Sequence, residues 1–227
     1  MPDYEPLRIT ARLQTPVICD DRLPLDGVLF YFAMRERYGF EVSTVPGNAI
    51  IGDDADKRRL VPFKVYYRNA AGRNHWFYQC SFACWVGHVA EGRDFWVKRF
   101  DQQYSSIVDF KGKRGKVITK AGRYKGYRMP VFTRHALAVR WYAVGDRREI
   151  ERLLSFCTHL GKKESQGYGA VLEWQVERWP HDWSIESPRG LMRAVPSESG
   201  LLVGFRPSYW SPENQTLCRL PESYADV

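Results

Sequence analysis

From Phe110 to Gly145 the chain carries no acidic residue and ten basic ones: Lys111, Lys113, Arg114, Lys116, Lys120, Arg123, Lys125, Arg128, Arg134 and Arg140. No other feature restricts the fold as much. Like charges at this density cannot pack against one another, so most of the stretch must lie outside any core, in solvent or against an anion. Gly112, Gly115, Gly122 and Gly126 are threaded among the charges and disfavour helix. A protruding β-hairpin or a flexible loop is expected. The formal net charge of all 227 residues is +8. The ten cations exceed it, so the rest of the chain is slightly acidic and basicity is a local device. Such a device suits a long polyanionic partner.

Around this stretch the chain reads as a folded α+β protein, with 44% hydrophobic and 15% aromatic residues. Residues 7–17 alternate Leu7, Ile9, Ala11 and Leu13 against Arg8, Thr10, Arg12 and Gln14, a strand with one buried face. Residues 25–38 read as a helix with Asp26 as N-cap, Val28, Leu29, Phe32 and Ala33 as apolar face, and Gly39 as stop. Two aromatic-rich strands flank a turn at "NAAGRN". Beyond the basic stretch, "HALAVRWYAVG" is a strand. Residues 146–161 form a helix opened by Asp146 and Glu149 as a capping-box variant and closed by Gly161. "AVLEWQVERW" returns to a strand. This order, with antiparallel pairing, gives a ferredoxin-like (RRM-like) arrangement. Residues 1–178 are expected to form the domain, with 98–128 as a basic insertion. Residues 179–227 are expected to form an irregular C-terminal extension packed on it.

Several function classes fall away. No apolar run approaches a membrane span, and the N-terminus lacks a signal core, so a cytoplasmic protein is expected. Cys19, Cys80, Cys84, Cys157 and Cys218 are odd in number and irregularly spaced, which favours reduced thiols. No second Cys/His pair completes a zinc site with Cys80 and Cys84. The acidic run Asp53, Asp54 and Asp56 lacks calcium-loop spacing and reads as a solvated loop. No metal and no cofactor are expected.

The turn "GKKESQGYGA" at 161–170 follows a helix and precedes a strand, the reverse of a phosphate-binding P-loop or a dinucleotide fingerprint. It can expose backbone N–H groups beside Lys162 and Lys163, with Gly167 and Gly169 giving clearance for a sugar-phosphate backbone. An ordinary helix cap and turn is the competing reading. For metal-independent RNA cleavage the best-placed histidines are His135 and His159, although each also suits a structural position.

The G-K-K-x-S-x-G-Y-G-x loop after the last helix resembles the glycine-rich loop of the RAMP superfamily of CRISPR-associated RNA-binding proteins. The run "LRITARLQTPVICDDRLPLDGVLFYFAMRERYG" is similar to the start of the Cas-five-like subunit of type IV CRISPR effector complexes. The resemblance covers most of residues 7–177. It implies a non-catalytic subunit that grips the 5′ handle of the CRISPR RNA, caps a filament of Cas-seven-like backbone subunits and meets a large-subunit-like protein, with target DNA as a further candidate partner. Residues 98–128 correspond to the "thumb". The RNA-binding set is then Lys111, Lys113, Arg114, Lys116, Lys120, Arg123, Lys125 and Arg128 from the insertion, with Lys162, Lys163, Ser165, Gln166, Gly167, Tyr168 and Gly169 from the loop. Tyr104, Tyr124 and Tyr127 are the candidates for stacking on bases. Two alternatives stand beside this: an RNA-processing endonuclease on the same fold, and a basic protein-interaction module.

Overall fold

A computed structural model describes residues 3–20, 22–39, 54–107 and 117–224. Its first elements are β1 (Tyr4–Leu13), α1 (Leu25–Tyr38), α2 (Asp54–Leu60), β2 (Val65–Ala70), β3 (Arg73–Tyr78), β4 (Cys84–Val86) and β5 (Ala90–Lys98). Then come β6 (Tyr127–His135), β7 (Ala138–Asp146), α3 (Arg147–Leu154), β8 (Val171–Arg178), β9 (Glu186–Ser187), β10 (Gly190–Leu191), β11 (Val195–Gly204) and β12 (Gln215–Arg219).

The alternation of β1 works as expected. Leu7, Ile9 and Ala11 are buried, while Arg8 and Arg12 face outward and pair across the strand gap with Glu177 (2.7 Å) and Glu173 (3.1 Å) of β8. The central sheet runs β4-β7-β1-β8, antiparallel throughout. Val139, Trp141 and Ala143 of β7 share one core with Leu29 and Ala33 of α1 and Ile150, Leu153 and Leu154 of α3. A mixed α+β layer with this strand order is compatible with a ferredoxin-like fold.

The structure refines five local expectations. First, Asp26 is not an N-cap. Pro24 holds that position without a side-chain cap, and Asp26 is buried inside the helix, accepting from the Tyr209 hydroxyl (2.7 Å) and facing Arg193 (3.6 Å). A polar residue early in a helix reads as a cap unless a distant partner is known, and this partner lies in the C-terminal segment.

Second, α3 ends at Leu154 and not at Gly161. The Asp146 carboxylate does accept from the Glu149 backbone N–H (3.3 Å), but the Glu149 side chain turns to Arg152, which also grips Glu36 of α1. Ser155 donates its hydroxyl to the Arg152 carbonyl (2.7 Å), and Phe156, Cys157 and Thr158 are weak helix formers. Cys157 and Leu160 are still buried, so their spacing recorded burial and not helix.

Third, "DADKRRL" is the short helix α2, with Asp56 3.6 Å from Arg37. Asp53 lies outside the described residues. Fourth, the turn of the predicted hairpin is correct: Ala71 and Gly72 both have positive φ, the two-residue turn that matches strand twist. That hairpin, β2–β3, forms its own sheet, and the short β4 joins the central one. Likewise "HALAVRWYAVG" is divided between β6 and β7.

Fifth, the C-terminal segment is more regular than expected, with paired strands β9–β10 and β11–β12. Ala194, Val195, Phe205 and Cys218 close a second core with Phe77 and Phe82. Full burial of each phenylalanine contributes about 2–3 kcal/mol. Arg193, wholly buried, donates to the carbonyls of Tyr78, Cys80 (2.8 Å) and Phe205 (2.6 Å). Burial pushes the Asp26 carboxyl up, and Arg193 and Tyr209 pull it back down. Among the described residues, no helix is long and apolar enough to cross a membrane.

Candidate nucleic-acid interface

The basic insertion is mounted on a β-ribbon that sequence reading did not place. β5 and β6 pair over nine positions, from Ala90↔His135 to Lys98↔Tyr127. The projecting unit therefore begins about eight residues before Lys98 and ends about seven after Arg128. The signal was the alternation in "EGRDFWVK", hidden because apolar residues stand on both faces. At the far end, Lys120, Arg123, Lys125 and Arg128 are exposed. Lys111, Lys113, Arg114 and Lys116 lie outside the described residues.

The proposed stacking tyrosines differ in setting. Tyr104 is exposed. Tyr124 packs edge-on against Phe100 at 4.9 Å, and Tyr127 against Trp96 at 5.0 Å. Two of the three thus already have aromatic partners within the arm.

The glycine-rich loop lies beside the middle and outer half of the ribbon, at Asp94 and Trp96. A 3₁₀ turn at Glu164–Gln166 sits between two left-handed residues, Lys163 (φ 67°) and Gly167 (φ 83°). Left-handed backbone costs a residue with a Cβ roughly 1–2 kcal/mol, so Lys163 is held there by its surroundings. Its ammonium stands 3.4 Å from the centroid of the Trp96 ring of β5. The Tyr168 hydroxyl donates to Asp94 of β5, which holds that carboxyl below its usual range. Lys162 pairs with Asp20 at 3.4 Å. The Thr15 hydroxyl donates to the Gly167 carbonyl (2.7 Å) and accepts from the Ala170 N–H (2.8 Å). The loop therefore joins the exit of β1 to the arm. Ser165 and Gln166 face solvent.

The two glycines chosen for clearance separate on geometry. A Cβ on Gly169 would stand 1.9 Å from the Leu160 carbonyl oxygen, and its φ is 71°. One on Gly167 would meet nothing within 4 Å. Gly169 is thus required by the chain's own close approach. We expect Gly169→Ala to cost at least about 2 kcal/mol in thermal or urea unfolding, and Gly167→Ala about 1 kcal/mol from φ alone. Equal costs would mean that the contact with Leu160 does not set the loop.

The histidines also separate. His159 lines a groove of about 700 Å³ with Lys162, Tyr31 and Trp210, its Nδ1 3.0 Å from the Thr158 hydroxyl. His135, on the ribbon, has Nε2 3.2 Å from the Thr133 hydroxyl and does not line that groove.

The model of one protein family, CRISPR type IV associated protein Csf3, matches residues 66–221, more than half of the chain. The chain belongs to the Csf3 family. It is thus a type IV CRISPR-associated protein and a subunit of that system's complex. No curated protein matches the sequence. The span matching Csf3 starts after the N-terminal run that suggested a Cas-five-like subunit. It includes the arm, the glycine-rich loop and nearly all of the C-terminal segment, which the initial resemblance did not cover.

Proposed function

We propose that this chain is the subunit of a type IV CRISPR complex that grips the 5′ handle of the CRISPR RNA, on a RAMP-type fold with the β5–β6 arm as its thumb. The observation that carries this is the mounting of the basic insertion. Seven of the ten cations in the acid-free stretch, from Lys111 to Lys125, fall in sequence between the two strands of the nine-position ribbon, which the glycine-rich loop braces through Asp94 and Trp96. Lys120, Arg123, Lys125 and Arg128, with the four cations at 111–116, bind phosphates and are sequence-tolerant. Lys162 and Lys163 stand beside the ribbon, where a strand leaving the insertion would pass, with Ser165, Gln166, Gly167 and Tyr168 next to them. The subunit caps a filament of Cas-seven-like backbone subunits next to a large-subunit-like protein, in the cytoplasm.

In this reading the protein binds without cutting. Acid–base cleavage of RNA needs two groups converging on one phosphodiester, and His135 stands on the ribbon, outside the groove that His159 lines. Incubation of the purified chain with precursor repeat RNA in EDTA should leave the RNA bound and intact. Site-specific cleavage that disappears on changing His135 or His159 to alanine would replace this reading with an endonuclease.

A further inference from the structure

The two faces of the β5–β6 ribbon do different things. The pairing register places Gly92, Asp94, Trp96, Met129, Val131 and Thr133 on one face. That face turns to the body: Asp94 receives Tyr168, Trp96 lies under Lys163, and Thr133 is buried. The opposite face carries Arg93, Phe95, Val97, Arg128, Pro130 and Phe132, all exposed. Phe132 keeps 71% of its surface and Phe95 37%. Neither ring joins the two main cores.

Arginines are interleaved with these rings. The Arg128 guanidinium lies 3.7 Å from the Phe95 centroid, and that of Arg93 lies 5.3 Å from Phe95 and 5.9 Å from Phe132. Of the ribbon's two acids, Glu91 stands at the end of this face away from the insertion, 3.7 Å from Arg134, and Asp94 accepts from Tyr168 on the other face. Phe95 and Phe132 are diagonal neighbours across the ribbon, a relation that sets residues about 7–8 Å apart. Toward the insertion, Phe95 and Arg128 open into a cleft of about 760 Å³ with Arg99 and Tyr127, where the single acid is Asp94, already bonded to Tyr168.

We infer that this outer face is a stacking platform for single-stranded nucleic acid, with Phe95 and Phe132 each taking one base and Arg93, Arg99 and Arg128 holding the phosphates between them. Exposed aromatic faces interleaved with cations are the chemistry that binds unpaired strands without reading their sequence. A duplex keeps its bases stacked inside and offers nothing to such rings. The charge of the face is continuous with the basic insertion, which favours a polyanion over an apolar protein segment. The inference rests on the arm being a nucleic-acid-binding element. It assigns stacking to two phenylalanines midway along the ribbon, in addition to Tyr104, Tyr124 and Tyr127.

The test is fluorescence anisotropy of the full chain with labelled repeat-derived RNA, DNA of the same sequence, and the RNA as a duplex, over a salt series. Phe95→Ala and Phe132→Ala should each weaken single-strand binding about tenfold with an unchanged salt slope. Phe132→Tyr should retain affinity, and thermal midpoints should match the parent. Arg93→Gln should reduce the salt slope by about one contact. The strand whose affinity falls, RNA or DNA, is the one the platform serves. Unchanged single-strand affinity in both alanine variants would overturn the inference, pointing instead to a protein-docking face. It would leave the handle-binding reading standing if charge reversal in the insertion still abolishes binding. Failure of the parent chain to bind either single strand would overturn both.

Discussion

Replacing Arg193 with methionine should destabilise the protein by about 3–5 kcal/mol, a fall in melting temperature of roughly 10 °C or more for a chain of this size. The expectation follows from four contacts. Arg193 is wholly buried, its guanidinium bonds the carbonyls of Tyr78, Cys80 and Phe205, and it faces the Asp26 carboxylate. Methionine fills most of the volume but withdraws a charged donor from those carbonyls and from a buried carboxylate, and lost partners at buried polar groups are costly. The double change Arg193→Met with Asp26→Leu should recover part of the loss, because the stranded charge is then removed as well. Tyr209→Phe, which deletes one hydroxyl from the same network, should cost about 1–2 kcal/mol. Differential scanning fluorimetry and urea titration read all three. A loss below 1 kcal/mol for Arg193→Met would mean that the C-terminal segment is held by its apolar contacts alone.

Reversing Lys120, Arg123 and Lys125 to glutamate should weaken binding of repeat-derived RNA on the order of a hundredfold or more near 0.1 M salt. These side chains are exposed at the end of the arm, so the thermal midpoint should stay with the parent. Each lost phosphate contact on a single strand lowers the slope of log affinity against log salt by about 0.7, so three should lower it by about two. The loss should therefore shrink as salt rises. Reversing Lys113, Arg114 and Lys116 should act in the same direction. A single reversal at Arg148, which lies elsewhere among Asp3, Glu5 and Glu151, serves as control and should leave binding unchanged. Equal losses from both sites would show that net charge, and not the arm, attracts the RNA.

The parts of the fold legible in the sequence were those with local causes. The alternation of β1, the Ala71–Gly72 turn and the Asp146 cap depend on neighbours within a few residues, and each stands as read. The α3 boundary was missed because Thr158 and Leu160 exchange backbone hydrogen bonds with Val171 and Gly169, past the glycine-rich loop. Asp26 was misplaced because Arg193 and Tyr209 lie far along the chain. The candidate interface shows the same division. The acid-free stretch announced a surface element for an anion, since like charges repel whatever the tertiary structure. The ribbon that carries it was obscured, because Phe95 and Phe132 on one face and Trp96 and Val131 on the other erase the polar–apolar alternation. An exposed phenylalanine and a core phenylalanine look alike until the register is known. Gly167 and Gly169 look equivalent for the same reason, until Leu160 is seen beside one of them.

The measurement closest to the central claim is the isolation of this chain from cells carrying its whole operon, followed by sequencing of the RNA that comes with it. That RNA should be of uniform length with one repeat-derived 5′ end, and it should be lost when Lys120, Arg123 and Lys125 are reversed. RNA of random length and origin, or the same RNA retained by the reversed variant, would contradict the claim.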